Sequence, residues 1–374
     1  MKLLYHLIPC IVFMINSLYS YEEFIYPVAH DDDLKQIVFL HQKSLDTIEL
    51  LFYDQASQII TQQLSSFCIP ANFRMLPTKN GFSFIDQGFI KIKYFNKRSA
   101  QTILMYEPIS FISSMNWIDE ETFYFTARQG DYYQTFQGNT NSELQRLSYQ
   151  PVDTLYPNKI GNSLYAIKRD ADHQCKITMQ PWNPIDFKQR HNDIQPETVM
   201  VQLSNKPLCF LKMISDQKGF YLQAPEIKKN YHEVYTFVCH HLVQAADSTW
   251  KSDELFSFNI PVKYLHGPER LYESIEPFLP NYTVQDFVYY VDFNETENRF
   301  ELLEFHIVTK TTKNLTDDFM KKNCLQQQKI FAPQIFDETI YCGIIIEQTK
   351  NSIDTQNNFI NSMTLYNTNL KVLP

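Results

Sequence analysis

The sequence predicts an all-β fold built from a repeated strand unit, and three observations carry that expectation. Aromatic residues supply 15% of the 374 positions, with 29 Phe and 23 Tyr, and such side chains suit pleated, half-buried strands. Glycine is scarce: 8 residues, about 2% against the roughly 7% of average usage. A rhythm of apolar segment, short turn, aromatic strand, polar turn and alternating strand runs along the whole chain, and repeats are read before motifs.

The clearest copy runs from Met75-Leu76-Pro77-Thr78-Lys79-Asn80-Gly81 into Phe82-Ser83-Phe84-Ile85, then Asp86-Gln87-Gly88, then Ile90 to Phe95. Turn residues and strand residues alternate there as two hairpins require. Other copies place Trp117-Ile118-Asp119 before Phe123, Tyr156-Pro157-Asn158 before Leu164, Ile214 to Gly219 before Phe220, and Phe336-Asp337-Glu338 before Ile340. The central aromatic strand starts at Ile37, Phe82, Phe123, Leu164, Phe220, Phe287 and Ile340, with gaps of 45, 41, 41, 56, 67 and 53 residues, so seven units are expected. Partner strands follow at Ile48–Tyr53, Ile90–Phe95, Tyr132–Phe136, Cys175–Met179, Val234–Val238, Phe300–Ile307 and Met363–Tyr366. Outer strands can be placed at Gln58–Leu64, Thr102–Met105, Leu144–Leu147, Thr198–Leu203 and Leu255–Phe258. Four strands per repeat of about 40–45 residues is the blade of a β-propeller. The expectation is therefore a seven-bladed β-propeller of four-stranded antiparallel blades, a single domain over residues 21–374. The runs Ile37-Val38-Phe39-Leu40 and Phe287 to Val291 are continuously apolar and call for cover on both faces, which neighbouring blades provide.

On these pieces the chain resembles the β-propeller superfamily, and its apolar, Pro/Asp-turn, Phe-x-Phe rhythm is most similar to propellers of the TolB and dipeptidyl-peptidase type, over about residues 24–370. The resemblance implies the fold; function has to come from a site. No Trp-Asp dipeptide of WD40 repeats, no kelch glycine pair and no sialidase box is present, which leaves the subfamily open.

Residues 1–20 hold Lys2, an apolar stretch from Leu7 to Ile15 and a polar close at Asn16 to Ser20, the layout of a signal peptide and about half the length of a membrane-spanning run. A secreted or periplasmic protein without a membrane span after cleavage is expected. Removing Lys2 moves the formal charge from −9 to −10, and no basic cluster interrupts it, so nucleic acid is not an expected partner. Six cysteines remain (Cys68, Cys175, Cys209, Cys239, Cys324, Cys342); fifteen pairings are open, and buried free thiols are at least as well supported.

The long gaps locate insertions at Asn183–Gln195, Ala245–Gln285 and Thr311–Gln328. Thr316-Asp317-Asp318 reads as the start of a short surface helix. The segment Pro261–Pro280 reads as an irregular inner strand or a lid. An eighth blade inside Ala245–Gln285 would need two more hairpins than the sequence offers. Glu22–Ala29 fits either the inner strand of the first blade or the completion of the last, and Asn369–Leu373 fits an outer strand of the last.

No catalytic residue, cofactor site or metal site is assigned. There is no Gly-x-Gly, His-Glu-x-x-His, Cys-x-x-Cys or Gly-x-Ser-x-Gly. His240 and His241 are adjacent on a strand and point to opposite faces, so they cannot readily share a metal. Asp170 and Asp172 with His173, the acids after His30 (Asp31, Asp32, Asp33) and Asp119-Glu120-Glu121 read as solvated turns, short of the six to eight oxygens calcium takes. Asn281, Asn294 and Asn314 open Asn-x-Thr triplets that read as chance matches in an Asn-rich chain. The expected inner strands (Phe73–Leu76, Met115–Trp117, Leu208–Leu211, Ile330–Phe331) carry almost no carboxylate or histidine. The expected function is accordingly a binding scaffold for another protein or a surface polymer, with a propeller hydrolase or lyase built from acids at the channel mouth as the alternative, and a propeller subunit of a larger assembly as a third reading.

Overall fold

The computed structural model describes residues 22–369, except 32–34, 43–47, 55, 58, 67–70, 87, 104–108, 142, 149–151, 173, 187–196, 204–207, 224–233, 266–277, 281, 285, 318–328, 337–338 and 348–367. The expected leader lies outside the described residues. In chain order the strands are β1 (Glu22–Asp31), β2 (Gln36–Gln42), β3 (Ile48–Asp54) and β4 (Ile59–Ser66); β5 (Ala71–Met75), β6 (Gly81–Asp86), β7 (Phe89–Tyr94) and β8 (Gln101–Ile103); and β9 (Ser110–Trp117), β10 (Thr122–Gln129), β11 (Tyr132–Asn139) and β12 (Leu144–Arg146). They continue with β13 (Asp153–Ile160), β14 (Ser163–Arg169), β15 (Cys175–Pro181), β16 (Ile185–Asp186) and β17 (Thr198–Leu203); then β18 (Leu208–Met213), β19 (Lys218–Gln223), β20 (Val234–Gln244) and β21 (Trp250–Pro261). The last are β22 (Tyr282–Val284), β23 (Phe287–Asn294), β24 (Arg299–His306), β25 (Thr311–Asn314), β26 (Lys329–Phe336), β27 (Thr339–Glu347) and β28 (Thr368–Asn369). All pairings are antiparallel.

These strands form six sheets, β1–β4 with β26–β28, β5–β8, β9–β12 with β16, β13–β15 with β17, β18–β21 and β22–β25. The architecture is an all-β propeller of six blades, which corrects the seven expected from the repeat count. The physical reason lies in β1, which uses both of its edges. Phe24 to Asp31 pair with β2, and Glu22 to Ile25 pair with Ile344 to Glu347 of β27. The seventh repeat unit is therefore a real hairpin, β26–β27, but it extends the first sheet instead of standing as a blade of its own. Both readings of Glu22–Ala29 hold at once, and β28 lies beside β27 where a late outer strand was expected.

Consecutive blades touch in ring order. β1 lies beside β5, β5 beside β9, β13 beside β10 and β11, β18 beside β13, β23 beside β21, and β26 beside β23 and β24. The apolar runs are covered on both faces as expected: Ile37 to Leu40 are at most 3% exposed, and Val288 to Val291 at most 8%. Between blades one and two Val38, Leu40 and Phe52 meet Phe82 and Phe84; between five and six Phe256 and Phe258 meet Tyr290 and Phe305. A fully buried side chain of this size contributes about 1.5–3 kcal/mol, so these seams hold the ring together.

Of the insertions, Ile185–Asp186 adds a fifth strand to blade three, pairing Gln145 and Arg146. The region Ala245–Gln285 holds the long β21 and the inner strand β22; among the described residues it forms no eighth blade. Val262–Tyr264 make a single 3-10 turn, and Leu265, Phe278 and Leu279 are buried in the seam of blades five and six. The rest of that segment and nearly all of the expected helix after Thr316 lie outside the described residues. Cys175, Cys209 and Cys239 are buried free thiols, and burial pushes all three above the usual thiol range. No helix among the described residues is long and apolar enough to cross a membrane.

Candidate functional site at the propeller axis

In each blade the first strand is the inner one, and direct cross-blade bonds between first strands show that they ring a common axis. Met115 N–H on β9 donates to Asn72 Oδ1 on β5 at 2.8 Å, and Arg74 Nε donates to Asn116 Oδ1 at 3.0 Å. On the other side of the ring Asn158 on β13 donates from Nδ2 to Leu211 O at 3.0 Å and accepts from Met213 N–H at 3.1 Å, both on β18. Between them Lys159 N–H donates to the Tyr124 hydroxyl at 3.3 Å.

The polar residues reach these positions through a repeated backbone device. The register slips between Ala71 and Arg74 in β5, between Leu155 and Asn158 in β13, and between Phe331 and Gln334 in β26. A bulge adds backbone without adding a pair, so it re-aims the side chain that follows. Arg74, Asn158 and Gln334 thus occupy equivalent register positions in three inner strands. Two of the bulges hold a non-glycine residue in the left-handed region, Asn72 at φ 56° and Tyr156 at φ 49°. Asn tolerates that region; Tyr does so at a cost of order 1–3 kcal/mol, which the surrounding structure must offset. Tyr156 is held by an edge-on ring contact with Phe210, centroids 5.9 Å apart.

Four of the six first strands, β5, β9, β18 and β22, contain no Asp or Glu, while β1 carries Glu22, Glu23 and Asp31 and β13 carries Asp153. Desolvation first, and then the charge of Arg74, push the Lys212 ammonium down to about 8. Desolvation raises the Tyr124 phenol above its ordinary value, while Lys159 N–H and Arg74 oppose the rise. A guanidinium, an ammonium and fixed amides arranged in this way attract and orient an anion.

The residues singled out from sequence fall elsewhere. His240 stacks on Tyr221 (centroids 4.8 Å) and His241 on Phe220 (5.3 Å), on opposite faces of β20 as expected. Desolvation holds the His241 imidazole below its ordinary value. Asp119 Oδ1 accepts from Glu121 N–H and Thr122 N–H, and Asp170 Oδ1 from Asp172 N–H and Gln174 N–H, so both acids close their own turns. Asp31 is buried, whereas Asp32, Asp33 and His173 lie outside the described residues. Asn294 and Asn314 likewise accept from backbone N–H groups of their own turns; Asn281 is not among the described residues. Among the described residues no three of His, Cys, Asp and Glu gather as metal ligands. The inner-strand expectation named Arg74 and Asn116 without assigning them a role, and it missed Asn158 and Lys212. A polar residue followed by an apolar pair just before the turn marks three of them, Arg74-Met75-Leu76, Asn116-Trp117-Ile118 and Lys212-Met213-Ile214, whereas Asn158, followed by Lys159, does not carry that signal.

No protein-family model matches the chain, and no curated protein matches it. Among solved structures it is similar to prolyl endopeptidases, at 11% identity and TM-score 0.50, over 78% of this chain and 42% of that one. It is also similar to a putative TolB from Agrobacterium tumefaciens (12% identity, TM-score 0.43, over 63% of this chain and 81% of that one) and to TolB from Acinetobacter baumannii (13%, 0.41, over 78% and 63%). At such identities the likeness speaks to fold alone, and this chain spans less than half the length of the prolyl endopeptidase.

Proposed function

We propose that this β-propeller is an exported binding module that takes an acidic segment of a partner protein at its axis, with Arg74 and Lys212 meeting the carboxylates and Asn116 and Asn158 bracing the wall. The observation that carries this reading is geometric: Arg74 on the inner strand of blade two is bonded to Asn116 of blade three, Asn158 of blade four is bonded to the strand of blade five that bears Lys212, and the chain around them carries −9. Desolvation of the Lys212 ammonium costs free energy that an arriving carboxylate offsets. The cross-blade amide bonds keep the site formed before the ligand arrives, which lowers the ordering cost of binding. The leader-like residues 1–20 support a secreted or periplasmic location, with residues 21–374 as one propeller domain. Rim loops add specificity on this rigid frame.

Calorimetric titration of the purified chain with hexaglutamate tests the proposal. Binding at low salt that weakens as salt is added is expected, with a loss of about tenfold or more in Arg74→Met, since hydrogen bonds to charged groups contribute about 1.5–3 kcal/mol. Equal affinity in wild type, Arg74→Met and Lys212→Met would overturn it. Turnover of ester, peptide or glycan substrates that survives both substitutions would put the hydrolase or lyase reading in its place.

A further inference from the structure

Five blades bring two of their turns to one face of the ring through the same backbone bond. A residue at or just past the end of the third strand donates its N–H to the turn between the first and second strands. These bonds run from Phe95 to Asn80 O at 3.1 Å, Thr140 to Glu121 O at 2.9 Å, Trp182 to Asn162 O at 2.7 Å, Gln244 to Gln217 O at 2.9 Å and Ile307 to Asp286 O at 2.8 Å. The turn after the third strand therefore lies beside the turn after the first. Arg74 and Lys212 stand two residues before Leu76 and Ile214, where the first turns of their blades begin. At strand rise that is about 7 Å, so the axial cations lie close to this same face.

Charge is spread unevenly over that face. Blade two places Lys79 in its first turn and Lys97 and Arg98 in the other, all exposed, with no acid in either turn. Its neighbour, blade three, places Asp119, Glu120 and Glu121 in the first turn and Glu143 in the other, all exposed, with no cation. Blade five adds Asp216 and Asp247, blade six has one charge of each sign at Asp286 and Lys310, and the described turn residues of blade four are neutral. Among the described turns of these five blades, only those of blade two present cations alone, in a chain that carries −9. Both turns of blade two are also fixed. Lys97 N–H donates to Tyr94 O at 3.1 Å, the buried Lys93 ammonium donates to Tyr94 O and Lys97 O, and the Thr78 hydroxyl donates to Asn80 Oδ1 at 2.7 Å. Turns held in this way offer their charges at a smaller ordering cost than a mobile loop would.

We infer that the acidic segment taken at the axis leaves it over blade two, where Lys79, Lys97 and Arg98 receive its further carboxylates, while the acids of blade three turn it away. This rests on the axial reading and adds the direction of the bound segment and the residues that favour a run of acids over one or two. Exposed ion pairs are individually weak, but several made to one ligand add together. At about 0.1 M salt such charges are screened within about 10 Å, so only the part of the ligand lying over blade two feels them. An extended hexapeptide spans about 20 Å and a dipeptide about 7 Å, so the longer ligand alone runs from the axis out over a blade.

The test compares hexaglutamate, titrated by calorimetry at about 0.1 M salt, with diglutamate, read by its competition with hexaglutamate. The proteins are the full chain, Arg74→Met, a blade-two reversal (Lys97→Glu with Arg98→Glu) and a blade-three reversal (Glu120→Lys with Glu121→Lys). The blade-two reversal should weaken hexaglutamate about tenfold and leave diglutamate within about twofold. The blade-three reversal should change hexaglutamate less than about threefold. Should the blade-two reversal not fold, Lys97→Gln with Arg98→Gln serves instead, with a smaller loss confined to the longer ligand. Loss in Arg74→Met with none in the blade-two variants would overturn the path alone, as would equal and opposite changes in the two reversals. Arg74→Met without effect on either ligand would overturn the axial reading itself. A wild-type dimer broken by both reversals would put a second copy of the chain on this face in place of the peptide.

Discussion

Blades five and six meet through aromatic rings, whereas blades three and four meet through hydroxyls, amides and an ammonium group. In the first seam Phe256 stacks on Tyr290 with centroids 4.0 Å apart and tilts against Phe305 at 5.1 Å, while Phe293 meets Phe300 edge-on at 5.3 Å. In the second, the apolar cluster shrinks to Tyr124, Leu147 and Leu164 with Ile118 and Trp182 at its edge, and bonds such as Gln180 Nε2 to Leu147 O at 2.6 Å take over. Both seams join antiparallel blades, four-stranded except for the short fifth strand of blade three. The difference shows that a propeller can close on apolar packing at some junctions and on hydrogen-bonded and charged groups at others.

The largest effect expected on either side of this contrast is truncation in the dry seam. Phe256→Ala should cost about 3–5 kcal/mol in urea unfolding, because ring burial is lost and a cavity is left. A cost under about 1 kcal/mol would show that blades five and six do not depend on that stack. Next is Asn72→Ala, which removes the bond to Met115 N–H and the tolerance for φ 56° between blades two and three; a loss of about 1–3 kcal/mol in the same measurement is expected. Thr135→Val sharpens the contrast through its sign. The substitution keeps shape and removes a buried hydroxyl that no protein group satisfies, so it should stabilise by about 1 kcal/mol. A loss of stability would show that the hydroxyl is satisfied in the folded seam. The smallest effect belongs to a control outside both seams: Gly130→Ala, at a turn with φ 61° and open space around its Cα, should cost about 1 kcal/mol through backbone conformation alone.

Much of the fold was legible in the sequence because inner, marker and partner strands are written in runs of Phe, Tyr, Ile and Val. Phe82, Phe123, Leu164, Phe220 and Phe287 all lie at or within two residues of the start of the second strand of a blade. The blade count was not legible, since a repeat unit announces a hairpin but not the sheet it joins. Nothing in Ile340 to Glu347 tells that β27 will pair with Glu22 to Ile25. The axial site was hidden for a related reason. Tyr156-Pro157-Asn158 reads as a turn, yet it is a bulge within β13, and the turn comes later at Gly161. Proline lacks the N–H that a regular ladder needs, so it is tolerated where pairing is already interrupted, and the same interruption aims Asn158 at β18. The polar seam was invisible because Thr126, Thr135, Thr154 and Lys168 stand singly on four different strands, and only the packing of blade on blade brings them to one interface.

Lys212 ties the account to pH. Its ammonium is ordinarily lost near 10.5 and in the folded protein near about 8, so its protonation opposes folding most fully below pH 8. The folded chain sheds that proton first, and stability from this group rises between pH 8 and 10.5. The central claim is that this same ammonium receives an acidic ligand. The most direct measurement is the affinity for hexaglutamate between pH 6.5 and 9.5 in wild type and in Lys212→Met. Wild type should lose affinity as pH climbs past about 8, and the variant should bind weakly with a flat profile. Identical profiles in the two proteins would contradict the assignment of the axis as the binding site.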